Sequence, residues 1–135
     1  VQGLRAGNQF SIVAYNSNIG FWRKQLVEAN TANKADAVNW IKRLIAEEQT
    51  ATYDALEAAF YFNAESLYLL TDGDPSTGKI IDKAQIVDAI TRQNRARRES
   101  IYTIGIAPGP EGAEFDQFLG TLAKQNFGLY KRVDR

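Results

Sequence analysis

Asp72 and Asp74 stand at the end of the apolar run Ser66-Leu67-Tyr68-Leu69-Leu70-Thr71, with Gly73 between them and Pro75 after. A buried strand that stops in Thr-Asp-Gly delivers a carboxylate to the C-terminal edge of a sheet, where open α/β folds bind ligands and ions. Hard carboxylate oxygens at such an edge suit a divalent cation, a partner's donors, or attack on phosphorus. A further oxygen donor, Thr50, lies at the start of a helix that precedes this strand. Plainer roles are open for both residues. Asp-Gly is ordinary turn chemistry, and Thr50 or Thr52 could cap the helix. Asp54, in the first turn, complements the helix dipole and is given no other task.

The composition narrows the chemistry. The chain has no Cys and no His, which removes disulfides, thiolate sites, the commonest general base and the usual zinc ligand. Sixteen basic and sixteen acidic residues cancel, so no overall field favours nucleic acid or a membrane surface. No apolar run is long enough to span a bilayer, and no signal peptide is visible. At 135 residues one domain is expected, large enough to bury a core. The chain has no Met, so Val1 reads as an internal residue of a longer protein.

Three other motifs compete for a function. Gly73-Asp74-Pro75-Ser76-Thr77-Gly78-Lys79 has the spacing of a phosphate loop, but Ile80 stands where that motif needs a magnesium-binding hydroxyl. Asp74 would also turn negative charge on the phosphates. Asp72-x-Asp74 resembles the paired aspartates of haloacid-dehalogenase-like phosphatases, which would make Asp72 a nucleophile in magnesium-dependent phosphoryl transfer. The later acids, Glu111, Glu114 and Asp116, fall in or just past a Pro/Gly loop, not at a clean strand end. Arg92, Arg95, Arg97 and Arg98 form a basic helix end, which complements a helix C-terminus and lacks the aromatics of a nucleic-acid platform. Trp22 and Trp40 read as packing residues.

The elements that must position these residues follow from periodicity. Gln9 to Tyr15 reads as one strand, Asn16 to Gly20 as a turn, and Phe21 to Arg23 as a short returning strand. A helix is predicted between Ala35 and Glu47, capped by Asn33, with Val38, Ile41, Leu44 and Ile45 as its apolar face. The helix begun near Thr50 carries Tyr53, Leu56, Ala59 and Phe60. Asp82 caps a third helix with Ile86, Val87 and Ile90 inward. Ile101 to Ala107 is a buried strand. A helix from Phe115 to Gln125 buries Phe115, Phe118, Leu119 and Leu122, and Phe127 to Val133 closes the chain as a strand. Strands alternating with helices predict a mainly parallel, doubly wound sheet with helices on both faces.

Thr50-Ala51-Thr52-Tyr53-Asp54-Ala55-Leu56, followed by Leu69-Leu70-Thr71-Asp72-Gly73, resembles the second and third loops of a von Willebrand factor type A domain. The resemblance extends over nearly the whole chain. It implies a protein- or ligand-binding module without catalysis, whose adhesion site holds magnesium at the strand ends while a partner's carboxylate completes the shell. Thr50 and Asp72 would be metal ligands, and Asp74, Ser76 and Thr77 would rim the partner-binding face. The family's first strand and its Asp-x-Ser-x-Ser loop, the source of most direct ligands, are not in this sequence. Glu48-Gln49 stand where the family has glycines. Magnesium is therefore expected only if other ligands are supplied, and a metal-free structural domain is the alternative. In this family the first strand lies between the strands predicted at 9–15 and 66–71, with Val1 to Leu4 as the tail of its following helix. Bare strand edges leave costly unpaired backbone groups. A filler is expected, from another segment or by strand exchange with another chain.

Overall fold

The computed structural model describes residues 3–5, 7–44, 49–106 and 112–133. Its centre is a parallel sheet of three strands, β5 (Ser66–Thr71), β6 (Ser100–Ile106) and β7 (Tyr130–Val133), in that order. Ser66 lies opposite Ser100 and Thr71 opposite Gly105, while Thr103 lies opposite Tyr130. Three helices pack on this sheet: α2 (Thr52–Ala59), α3 (Lys83–Arg97) and α4 (Ala113–Gln125). Tyr53, Leu56 and Phe60 meet Ile86, Ile90, Phe115, Phe118, Leu119 and Leu122 over Leu69 and Ile101 in one core. This is the α/β architecture that the periodicity predicts.

Side chains alternate across a strand, so β5, β6 and β7 turn their other residues away from that core. Among the described residues this second face is open: Tyr68 is 66% and Leu70 53% exposed. The Tyr68 and Tyr102 rings stack there at 5.0 Å.

The N-terminal part departs from the single predicted strand over 9–15. It breaks into β1 (Gln9–Phe10) and β2 (Val13–Tyr15), which pair antiparallel with β4 (Val27–Glu28) and β3 (Ile19–Phe21), respectively. The change of strand partner, from β4 to β3, falls at Ser11 and Ile12. The Ile12 carbonyl accepts from Trp22 N–H at 2.9 Å, and Ser11 Oγ donates to the Arg23 carbonyl at 2.7 Å. Both bonds continue the β2–β3 register beyond Val13 and Phe21. Phe10 enters a second core with Trp22, Ala29 and Ala37, whereas Tyr15 packs on the first. The returning strand also starts earlier than predicted, at Ile19.

Helix α1 spans Thr31–Lys42, and Asn30, not Asn33, caps it by accepting from Asn33 N–H at 2.8 Å. Asn33 instead donates to the Glu28 carbonyl. Ile41 and Leu44, predicted inward, are 41% and 44% exposed, and Ala37 is the buried residue of this helix. Ile45 lies outside the described residues. Asp82 caps α3 as predicted, its side chain accepting from Gln85 N–H at 2.9 Å. Phe127 falls before β7 with a left-handed backbone, φ 63°.

Between the hairpin and the parallel sheet, strand 9–15 has not re-paired with strand 66–71. Among the described residues, β2 pairs with β3 and β5 with β6. The end of β2 nonetheless reaches the end of β5, because Asp72 and Thr71 both act on the Tyr15 phenol.

Candidate functional site

Three chain segments meet at the C-terminal edge of β5. The first is the turn after β2, where Asn16 Oδ1 accepts from Asn18 N–H and the Asn16 carbonyl accepts from Ala51 N–H at 2.8 Å. That bond fixes the start of α2, which has no side-chain cap at Ala51, so Thr50 and Thr52 do not cap this helix. The second is Thr50 itself. The third is the loop after β5. There Thr71 Oγ1 donates to the Gly73 carbonyl at 3.0 Å and accepts from Gly73 N–H at 3.4 Å, folding a tight turn around Asp72.

Thr50 and this loop are fastened to each other. Thr50 N–H donates to Ser76 Oγ at 2.8 Å, and the Thr50 carbonyl accepts from Ser76 N–H at 2.9 Å and Thr77 N–H at 3.3 Å. Thr50 Oγ1 lies 3.8 Å from where a Cβ on Gly73 would sit, so the hydroxyl faces the Asp72 turn. The structure thus brings the segments carrying Thr50 and Asp72 together, with the Asp72 residue exposed.

The rim residues differ from one another. Ser76 is exposed, yet its hydroxyl and amide both bind Thr50. Asp74 extends outward and pairs with Lys83 Nζ at 3.4 Å, and Lys83 also reaches Glu114 at 3.9 Å. Such exposed pairs contribute little to stability. Asp116 turns away from the edge and accepts from Tyr130 Oη and Arg132.

Behind the edge lie two hydroxyls, one on Tyr15, which the sequence does not single out, and one on Thr52, which it offers only as a cap. Tyr15 Oη and Thr52 Oγ1 are buried with no hydrogen-bond partner in good geometry. Burial raises the Tyr15 pKa, the neighbouring Thr71 and Thr52 hydroxyls pull it down, and the Asp72 charge raises it further. Asp54, which the sequence offers only as a dipole residue, has a carboxylate that accepts from Lys79 N–H at 3.0 Å.

A divalent cation needs more than this edge offers. Thr50 and Asp72 supply two kinds of oxygen, whereas magnesium takes about six ligands. Among the described residues no group of three or more acidic, His or Cys side chains could hold an ion. These residues do not fit a magnesium ion by themselves.

Comparison with known proteins places this geometry. No protein-family model matches the chain. The inter-alpha-trypsin inhibitor heavy chain H2 of Sus scrofa is 31% identical over 144 residues, covering 96% of this chain and 15% of that protein. The von Willebrand factor A domain-containing protein 3A of Homo sapiens is 29% identical over 124 residues, covering 91% of this chain and 10% of that protein. The chain therefore spans a small fraction of these relatives. Among solved structures, the von Willebrand factor type A protein from Catenulispora acidiphila superposes with a TM-score of 0.78 at 21% identity, over 96% of this chain and 30% of that one. The structural match and the relatives agree: the chain has the fold of a von Willebrand factor A-type domain.

Proposed function

We propose that this domain is a protein-interaction module whose binding face is the C-terminal edge of β5, presenting Thr50, Asp72, Asp74 and Thr77. The observation that carries this reading is the fastening of Thr50 to Ser76 and Thr77, which holds Thr50 and the exposed residues Asp72 and Asp74 on one edge. Catalysis is not part of the proposal. Asp74 is engaged by Lys83 and Asp116 by Tyr130 and Arg132, which leaves Asp72 without the second acidic pair that phosphoryl transfer requires. A cation joins this edge only when oxygen ligands come from beyond the described residues, and Thr50 and Asp72 are then this chain's share.

Among the described residues one edge each of β2 and β5 has no strand partner, which supports a second element of the proposal. A strand from outside the described residues fills the space between them and supplies partners for the buried Tyr15 and Thr52 hydroxyls. Unpaired buried groups cost about 1–3 kcal/mol each, which is why an empty space would be poorly tolerated.

Retention of interacting protein by the immobilised full-length protein, compared among variants, tests the binding face. Asp72→Ala and Asp74→Ala are expected to lower retention at least tenfold while Arg95→Ala leaves it unchanged. Equal retention by all three would refute the assignment. Magnesium titration of the isolated chain, followed by amide shifts of Thr50, Asp72 and Gly73, is expected to show no saturation below millimolar concentrations.

A further inference from the structure

The loop after β5 is held from a second side that none of the foregoing roles uses. Gly78 has a left-handed backbone, φ 100°, and lies flat against the Asp54 carboxylate: a Cβ there would sit 3.0 Å from Oδ1 and 3.1 Å from Cγ and Oδ2. The next amide, Lys79 N–H, donates to the same Oδ1 at 3.0 Å. One turn further along α2, Glu57 Oε1 accepts from Lys79 Nζ at 2.6 Å. Its Oε2 accepts from Tyr53 Oη at 2.9 Å, and Tyr53 Oη accepts from Gln93 Nε2 of α3 at 2.8 Å. The loop is thereby tied at one end to Thr50 and at the other to the outer side of α2, and through Tyr53 to α3.

We propose that Asp54 is the positioning residue of this edge: its carboxylate latches Gly78 and Lys79 onto α2, so that Thr50, Asp72, Asp74 and Thr77 are carried by one preformed unit. The geometry distinguishes Asp54 from Glu57. Asp54 binds backbone and contacts the one residue of the loop with a left-handed φ, so it determines the path of the chain. Glu57 binds the flexible end of Lys79, whose ammonium a water molecule could serve as well. A charge-assisted bond to a backbone amide is also stronger than a surface ion pair. What the latch presents rests on the binding reading above. The latch itself is a property of the loop and stands or falls separately.

Amide hydrogen exchange on the isolated chain tests the latch without reference to any partner. In Asp54→Ala, the Lys79, Ser76, Thr77 and Thr50 amides should exchange roughly ten- to a hundredfold faster, the range set by losing one charge-assisted hydrogen bond. Amides of the Leu69 and Ile101 core should keep their wild-type rates, which a merely global loss of stability would not allow. Asp54→Asn, which retains an acceptor oxygen, should recover most of the protection, and Lys79→Met should change it by less than Asp54→Ala. Unchanged exchange at Ser76, Thr77 and Thr50 in Asp54→Ala would overturn the proposal, as would equal acceleration throughout the core. If exchange behaves as expected while Asp72→Ala and Asp74→Ala retain their partner, the latch holds and the binding face lies elsewhere.

Discussion

The two ends of the parallel sheet solve opposite problems. At the C-terminal edge of β5, polar groups face outward and are tied by bonds that leave Asp72 and Asp74 exposed. At the N-terminal end of β6, side-chain amides and backbone groups are buried and bonded to one another. Asn94 donates to the Glu99 carbonyl at 2.8 Å and to Asn126 Oδ1 at 3.0 Å, and accepts from Glu99 N–H at 2.9 Å. Asn126 in turn donates to the Leu122 carbonyl and Thr91 Oγ1. That end joins α3, α4 and β6 through these buried amides. Under the proposed reading, stability belongs to this end and recognition to the other, and substitutions at the two ends should reveal it.

The largest effect is expected at the buried end. Gly128 lies against the start of β6 so closely that a Cβ would sit 1.9 Å from the Ile101 carbonyl oxygen. Backbone faces backbone there and neither can yield. Gly128→Ala should therefore cost on the order of 4 kcal/mol or more, read as a collapse of the urea midpoint. Gly78→Ala at the other end meets a side-chain carboxylate, not backbone, and should cost about 1–3 kcal/mol, from its left-handed backbone and the displaced Asp54. Equal losses at the two glycines would erase the distinction.

Asn94→Ala comes next. It strands the Glu99 amide and carbonyl and Asn126 Oδ1 in the interior, which should cost about 3 kcal/mol in chemical denaturation. A loss under 1 kcal/mol would mean that water replaces the amide and that the knot is not closed.

A third prediction uses pH and has opposite signs at the two ends. The Glu99 side chain is 3% exposed, its carboxylate oxygens have no hydrogen-bond partner, and the Arg97 guanidinium stands 4.0 Å away. Burial raises its pKa, and the Arg97 charge pulls it down by less. Stability from Glu99 is thus fully present below the ordinary glutamate range and is lost as pH rises through the folded value. Glu99→Gln should gain on the wild type as pH increases. Glu57 behaves the other way, because the hydrogen bonds from Lys79 and then Tyr53 lower its pKa. Its contribution is present above the ordinary range and is lost as pH falls through the folded value. Glu57→Gln should therefore approach the wild type in acid, with the smallest change of the series. Urea midpoints between pH 3 and pH 8 check both signs.

How much of this the sequence reveals depends on the distance between partners. The run at 66–71, the Asp82 cap and the apolar faces of α3 and α4 are local patterns, and they match the structure closely. The break at Ser11 and Ile12 is not local, since it follows from a change of partner between β4 and β3, which the stretch from Gln9 to Tyr15 cannot show. The start of α1 was misjudged for a different reason: Asn30 and Asn33 both satisfy the cap rule, and only the paired bond to Glu28 decides between them. Thr50 and Asp72 stand out by their order and spacing. Asp54 does not, because its partners Gly78 and Lys79 are more than twenty positions away and nothing in a first-turn aspartate announces them. The Asn94–Asn126 knot is hidden likewise, being assembled only when α3 and α4 meet.

The most direct test of the division between the two ends is a site-specific photo-crosslinker placed in the full-length protein, at Thr77 in one variant and at Arg95 in another. Thr77 lies on the fastened loop and Arg95 is exposed in the last turn of α3, near the buried knot. The account expects a covalent protein adduct from Thr77, weakened by Asp72→Ala, and none from Arg95. An adduct from Arg95 with none from Thr77 would contradict it, placing recognition at the end assigned here to stability.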